Sequence, residues 1–358
     1  MRDAYLILEN GVVFKGRSFG YDGETVGELV FSTAMTGYLE AITDPAYYGQ
    51  ILLQTFPLIG NYGIIPRDFS SISVHVKAYI VREWCQEPSN FRSEGNLDSF
   101  LCDMKIPGLC GIDTRELTRV IRDNGVMNAM VSKTPELSDS QWAELRGYKI
   151  VNAIAAASGI ADGYGRLQSN PFIFESRIQS AKFTVGVWNF GCAYKLLDGL
   201  ITRGASPTVL GFDASADDLL AVKPDGIVLS EGPGDPAEYT RIIGEIRVLC
   251  NKSIPVLGVG LGHQMLAIAN GAITDKLPFG HRGANQPVKK LDSGKVFVTM
   301  QNHGYTVAPG SPPRNALMSY INLNDYSCEG LTYTDIPAFS VQFEPTDSIF
   351  ADFFAKMN

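Results

Sequence analysis

From residue 183 onward, short apolar runs alternate with stretches whose apolar residues recur at helical spacing. Thr184–Trp188, Thr208–Gly211, Gly226–Ser230 and Pro255–Val259 read as short buried strands. Between them, Leu196, Leu197, Leu200 and Ile201 mark one helix, stopped at Gly204, and Asp217–Val222 marks a shorter one. Ile242, Ile243, Ile246 and Leu249 give Ala237–Cys250 an amphipathic helix; Met265, Leu266 and Ile268 give another, capped at Asn270-Gly271. Strictly alternating strands and helices predict a doubly wound, mostly parallel sheet with helices on both faces. Val288–Leu291 and Lys295–Met300 flank Asp292-Ser293-Gly294 as a hairpin, which adds an antiparallel extension.

Residues 1–150 follow a different rhythm. Tyr5–Leu8, Gly27–Phe31, Ile51–Thr55 and Ser73–Val81 are β-like runs separated by turn residues. One helix is expected after the caps Asp113-Thr114, with Leu117, Val120 and Ile121 on its buried face and Asn124-Gly125 at its end. Residues 151–182 drift through Ala, Gly and Ser without a clear period and read as a linker. The expected organisation is therefore an α/β chain: a β-rich α/β domain (1–150), a linker (151–182) and a doubly wound domain (183–358).

Composition narrows the functions open to such a chain. Its 358 residues carry 30 Lys+Arg against 38 Asp+Glu, a net charge of −8. That acidic balance offers no basic footprint, so nucleic acid is not an expected partner. No run approaches the ~18 apolar residues of a membrane span, so no membrane partner is expected either. The opening Met1-Arg2-Asp3-Ala4-Tyr5 passes straight into a strand-like run without a leader. The six cysteines are scattered, with no CxxC pair, and are expected as reduced, mostly buried thiols in a cytosolic protein.

In a doubly wound sheet, ligands gather at the carboxyl ends of the strands. Three loops fall there. Glu231-Gly232-Pro233-Gly234-Asp235-Pro236 follows one strand, and its glycines leave backbone N–H groups able to face a ligand as an oxyanion hole does. Gly260-Leu261-Gly262-His263-Gln264 is a tight strand-to-helix turn, and Gln342-Phe343-Glu344-Pro345-Thr346 follows the last strand. Glycines in such turns serve close packing equally well, so neither glycine loop is decisive alone.

Taken together, the three loops resemble class I glutamine amidotransferases, and the whole chain resembles the small, glutamine-hydrolysing subunit of carbamoyl-phosphate synthetases. The first half carries Gly27-Glu28-Leu29-Val30-Phe31, Met35-Thr36-Gly37-Tyr38, Pro57-Leu58-Ile59-Gly60-Asn61-Tyr62-Gly63 and Gly111-Ile112-Asp113-Thr114-Arg115. The second carries Phe279-Gly280-His281-Arg282-Gly283-Ala284-Asn285-Gln286-Pro287 and Gln301-Asn302-His303-Gly304. The resemblance implies a large-subunit partner that binds ATP and makes carbamoyl phosphate, in arginine or pyrimidine synthesis, from ammonia released by this chain. It implies no cofactor in the chain itself.

The sequence departs from the family where the chemistry lies. The resemblance places a nucleophilic Cys at position 260, a His at 344 and a Glu at 346; the chain has Gly260, Glu344 and Thr346. A thiolate must attack the glutamine amide and hold the acyl group as a thioester. Glycine cannot do so. The resemblance also assigns glutamine contacts to Gly232, Gly234, Leu261, Gln264, Asn302, Gly304 and Tyr305, all present. It assigns another to a Ser where Ala46 stands, and the usual Asp-Phe-Gly-x-Lys run reads Asn189-Phe190-Gly191-Cys192-Ala193. The expectation is a glutaminase-inactive small subunit of an ammonia-using complex. Two alternatives stay open: a sensor that binds glutamine or a related amide, and a hydrolase in which Glu344 activates water directly. His263 and His303 are expected as structural hydrogen-bonding residues, His75 in its strand-like run needs no function, and Cys192 is expected as a small buried residue.

Overall fold

The first nine strands are β1 (Asp3–Leu8), β2 (Val13–Gly20), β3 (Thr25–Ser32), β4 (Gln50–Gln54), β5 (Leu58–Ile59), β6 (Ala78–Ile80), β7 (Glu83–Trp84), β8 (Pro107–Cys110) and β9 (Met127–Ser132). Seven of them close a barrel in the order β1-β2-β8-β6-β4-β3-β9, and β5 and β7 pair separately. Closure comes from β1, which pairs antiparallel with β2 on one edge and with β9 on the other. The computed structural model describes residues 2–158 and 181–358. By contact they divide into two units, one running through Ala153 and including His281–Ala284, the other holding the rest.

In the first unit, Ile51, Leu52 and Leu53 of β4 are all fully buried, because both faces of the strand are covered. Leu52 packs in one cluster with Leu39 and Ile42 of helix α1 (Tyr38–Ile42) and with Leu97 and Leu101 of α2 (Leu97–Asp103). Ile51 and Leu53 point to the opposite face, as strand alternation requires. Helix α3 (Thr114–Asn124) starts where Asp113 accepts a hydrogen bond from the Glu116 N–H and stops at Gly125, as its capping residues predict. Helix α4 (Asp139–Gly147) is opened by a capping box between Ser138 and Gln141. The run 73–81 is strand only at Ala78–Ile80. His75 lies before it, with its backbone N–H bonded to the Ile42 carbonyl and its ring Nε2 2.8 Å from Ser71 Oγ.

The remaining strands are β10 (Phe183–Trp188), β11 (Ala205–Leu210), β12 (Gly226–Leu229), β13 (Val256–Val259), β14 (Thr274–Lys290), β15 (Val296–Val307), β16 (Ala316–Asn322), β17 (Cys328–Tyr333) and β18 (Ala338–Val341), which apart from His281–Ala284 belong to the second unit. They form one nine-stranded sheet in the order β11-β10-β12-β13-β18-β17-β16-β14-β15. The five strands from β11 to β18 are parallel neighbours; β18–β17, β17–β16 and β16–β14 are antiparallel. Helices α6 (Tyr194–Ile201), α7 (Ala216–Ala221), α8 (Thr240–Cys250), α9 (Leu261–Ala269) and α10 (Asp347–Met357) cover the parallel half. Val185, Val187, Val228 and Leu257 pack with α6 and α10. The alternate residues Trp188, Ile227, Leu229 and Val256 pack with α7, α8 and α9. Each such side chain, fully buried, contributes about 1.5–3 kcal/mol, and together they fix where the strand ends lie.

Several boundaries differ from the sequence reading. The hairpin arms are far longer than 288–291 and 295–300, because β14 keeps pairing through a Pro- and Gly-rich stretch that hides its period. Pro236–Glu238 is a separate 3-10 turn, so α8 begins only at Thr240. Within 151–182, Ala153–Ser158 is helix α5, and residues 159–180 lie outside the described residues. The thiols are all free: Cys110 and Cys328 are buried, Cys85, Cys192 and Cys250 are half-buried, and Cys102 is exposed. The expectation of mostly buried thiols is therefore corrected: Cys102 falls on the solvent side of α2, opposite the buried Leu97 and Leu101.

Candidate active site

Strand β13 ends at Val259, and α9 begins at Leu261, so Gly260 alone makes the turn. Its backbone sits at φ 53° and ψ −111°, a conformation that side-chain-bearing residues rarely adopt. Two hydrogen bonds tie this turn to neighbouring strand ends. Gly260 N–H donates to the Val341 carbonyl at 2.9 Å, and Gly262 N–H donates to the Ser230 carbonyl at 3.0 Å. The turn, the loop after β12 and the loop after β18 are thus assembled by their backbones.

The β12 loop is held equally closely. Ser230 Oγ accepts from the Phe190 N–H at 2.9 Å and donates to the Glu231 carbonyl at 2.8 Å. A Cβ on Gly232 would stand 2.3 Å from the Phe190 carbonyl oxygen, so only glycine fits there. Gly234 takes a positive φ of 96°. Glu231 Oε1 accepts from the Ala193 N–H at 2.8 Å, which joins this loop to the segment before α6.

Gln264, on the first turn of α9, is the hub of the polar side chains. Its amide donates to the Tyr305 carbonyl at 2.7 Å and to Gln342 Oε1 at 2.8 Å. Glu344 N–H donates to the Met300 carbonyl at 3.0 Å. Strand β15 therefore runs alongside, bringing half-buried Asn302, Gly304 and Tyr305, while Leu261 is buried at the head of α9. The Glu344 carboxylate pairs with the Lys195 ammonium from α6. Thr346 stands at the start of α10, its hydroxyl 3.0 Å from Ser348 Oγ.

The structure thus links Gly260, Gln264, Tyr305, Glu344 and the Gly232 loop through hydrogen bonds within one unit. Ala46 belongs to the other unit, in the turn Pro45–Tyr47, where its N–H donates to Asp44 Oδ1 at 2.9 Å.

His263, His303 and Cys192 are each held by neighbouring groups. His263 is fully buried, its Nδ1 2.7 Å from Ser340 Oγ, and desolvation pushes its pKa down to about 3. It stays neutral. His303 is held between the Tyr305 carbonyl at 2.7 Å and Gln301 Oε1 at 3.1 Å. Cys192 has its thiol pushed well above the ordinary value, first by burial and then by the nearby Glu231 charge. Burial and the Glu231 charge both oppose a thiolate at Cys192.

Three participants escaped sequence reasoning: Lys195, Ser340 and the side chain of Glu231. Lys195 lies two residues beyond the family's lysine position at Ala193, a signal that was available. Ser340 and Glu231 act only through tertiary contacts, which left no pattern to read.

The chain is similar to known proteins along most of its length. Residues 187–348 match the model of the class-I glutamine amidotransferases, and residues 6–131 match that of the carbamoyl-phosphate synthase small chain, CPSase domain. The carbamoyl phosphate synthase small chain of Clostridium perfringens is 42% identical over 342 residues, covering 96% of this chain and 93% of that protein. That of Bacillus caldolyticus is 44% identical over 346 residues, covering 96% and 91%. That of Listeria monocytogenes is 40% identical over 372 residues, covering 100% and 98%. The chain belongs to the carbamoyl phosphate synthase small chain family.

Proposed function

We propose that this chain is a small subunit that no longer hydrolyses glutamine, pairs with a synthetase large subunit and leaves that partner to use free ammonia. The observation that carries the reading is Gly260, which makes the strand-to-helix turn without any side chain. A covalent amidohydrolase needs a nucleophile there and an imidazole to move its proton. The late loop supplies Glu344, whose carboxylate is engaged by Lys195, and Thr346, whose hydroxyl faces Ser348. A carboxylate base without a nucleophile contributes at most ~10²–10⁴-fold, far short of an enzymatic amide hydrolysis.

The rest of the scaffold is kept. Gly232 and Gly234 still shape the loop after β12, and Gln264 still reaches β15 and Gln342. This supports a retained structural role toward a partner, with residual glutamine binding as its only small-molecule function. The test is to co-purify the chain with the large subunit and to supply glutamine or ammonium salts. Carbamoyl phosphate formed only with ammonium supports the reading. Failure to capture the large subunit, together with glutamine binding by calorimetry, would replace it with a glutamine sensor.

A further inference from the structure

Gly260 and Glu231 approach each other more closely than ordinary side chains do. A Cβ built on Gly260 would stand 3.0 Å from Glu231 Cβ and 3.4 Å from its Cα. The first contact is tighter than normal carbon–carbon packing, and the second lies at the near edge of ordinary contact. Glu231 has little freedom to retreat. Its Oε1 accepts from the Ala193 N–H, its carbonyl accepts from Ser230 Oγ, and the next residue, Gly232, packs on the Phe190 backbone. The residue that would need to yield is pinned on three sides.

We infer that Glu231 is a positioning residue that fits the β13–α9 turn to glycine, so that a thiol placed at position 260 stays unreactive while Glu231 remains. The inference rests on the glutaminase-inactive reading and implies that restoring the triad positions alone would not restore the reaction. Two effects act together. The glutamate backbone and Cβ crowd the new side chain, and its carboxylate opposes thiolate formation. The second effect already operates on Cys192, whose thiol is raised by burial and by Glu231. The other titratable groups on elements at this turn are His263, buried and neutral, and Glu344, paired with Lys195. Neither carries a free positive charge, so only the N-terminus of α9 would draw a thiol at position 260 down, against the Glu231 carboxylate.

The experiment compares full-length Gly260→Cys with Gly260→Cys/Glu231→Gln and Gly260→Cys/Glu231→Ala. Iodoacetamide alkylation of the peptide spanning position 260 is followed by mass spectrometry across a pH series. Each unit of thiol pKa is worth about tenfold in thiolate near neutral pH. The expected order is slowest for Gly260→Cys, faster for the Gln variant, which removes only the charge, and fastest for the Ala variant. The Ala variant is expected to exceed the single variant by about tenfold or more. Thermal unfolding accompanies each measurement. If Gly260→Cys fails to fold and Gly260→Cys/Glu231→Ala folds, the crowding half is supported directly. Equal alkylation profiles, or misfolding of every variant alike, would overturn the inference. Glutamine hydrolysis by the unmodified chain would instead overturn the function proposed above and would leave the alkylation result standing.

Discussion

Lys195 on α6 closes an ion pair with Glu344, the residue standing where the family's imidazole base is expected. The lysine side chain is 77% exposed and the glutamate 31%, so solvent screens the pair strongly. Such pairs contribute about 0–1 kcal/mol. Lys195→Ala and Glu344→Gln are each expected to change unfolding stability by less than about 1 kcal/mol in urea titrations. Under the proposed function, neither is expected to change glutamine turnover. A glutamine hydrolysis rate that vanishes in Glu344→Gln would revive the water-activating alternative.

Gly260 is the more costly position. Gly260→Ala combines a positive φ of 53° with a close approach to Glu231, whereas Gly271→Ala meets a positive φ of 97° and no neighbouring atom. Strained backbone at a single residue costs about 1–3 kcal/mol. Gly260→Ala is therefore expected to lose more stability than Gly271→Ala, which is expected to lose about 1 kcal/mol from conformation alone. Chemical denaturation of both variants decides it. Equal losses would mean that the contact with Glu231 is relieved at no cost.

Two buried histidines give stability a defined pH dependence. Burial lowers the His75 pKa to about 4 and the His263 pKa to about 3, both below the ordinary value of 6.5. The unfolded chain therefore binds protons that the folded one refuses. Their contribution is complete above about pH 6.5 and is lost as pH falls toward 4 for His75 and 3 for His263. Between pH 7 and 5, each is expected to cost about 2 kcal/mol. Replacing His75 with Gln is expected to flatten part of that slope in denaturation curves. An unchanged slope would show that His75 does not resist protonation in the folded chain.

The parallel half of the second unit was legible because its strands are short unbroken apolar runs and its helices keep a clear period. Val185, Val187 and the helical series Leu196–Ile201 belong to one core cluster, as their spacing predicts. The barrel was not legible, since its closure depends on β1 meeting β9 across most of the first unit. The length of β14 was hidden by Pro278, Gly280, Gly283 and Pro287, which read as breaks yet lie within a continuous strand. In the site, Gly260 and Glu344 could be found from motif positions. The closeness of Glu231 to Gly260 and the reach of Lys195 to Glu344 arise only from folding and leave no mark in the residue pattern.

The central claim is that a turn without a thiol cannot release ammonia from glutamine. It is tested most directly by measuring glutamate released from glutamine by the purified chain, alone and with the large subunit present. No release above the uncatalysed background is expected in either case, while ammonium salts are expected to support carbamoyl phosphate formation by the pair. Steady glutamate release that scales with the amount of this chain would contradict it.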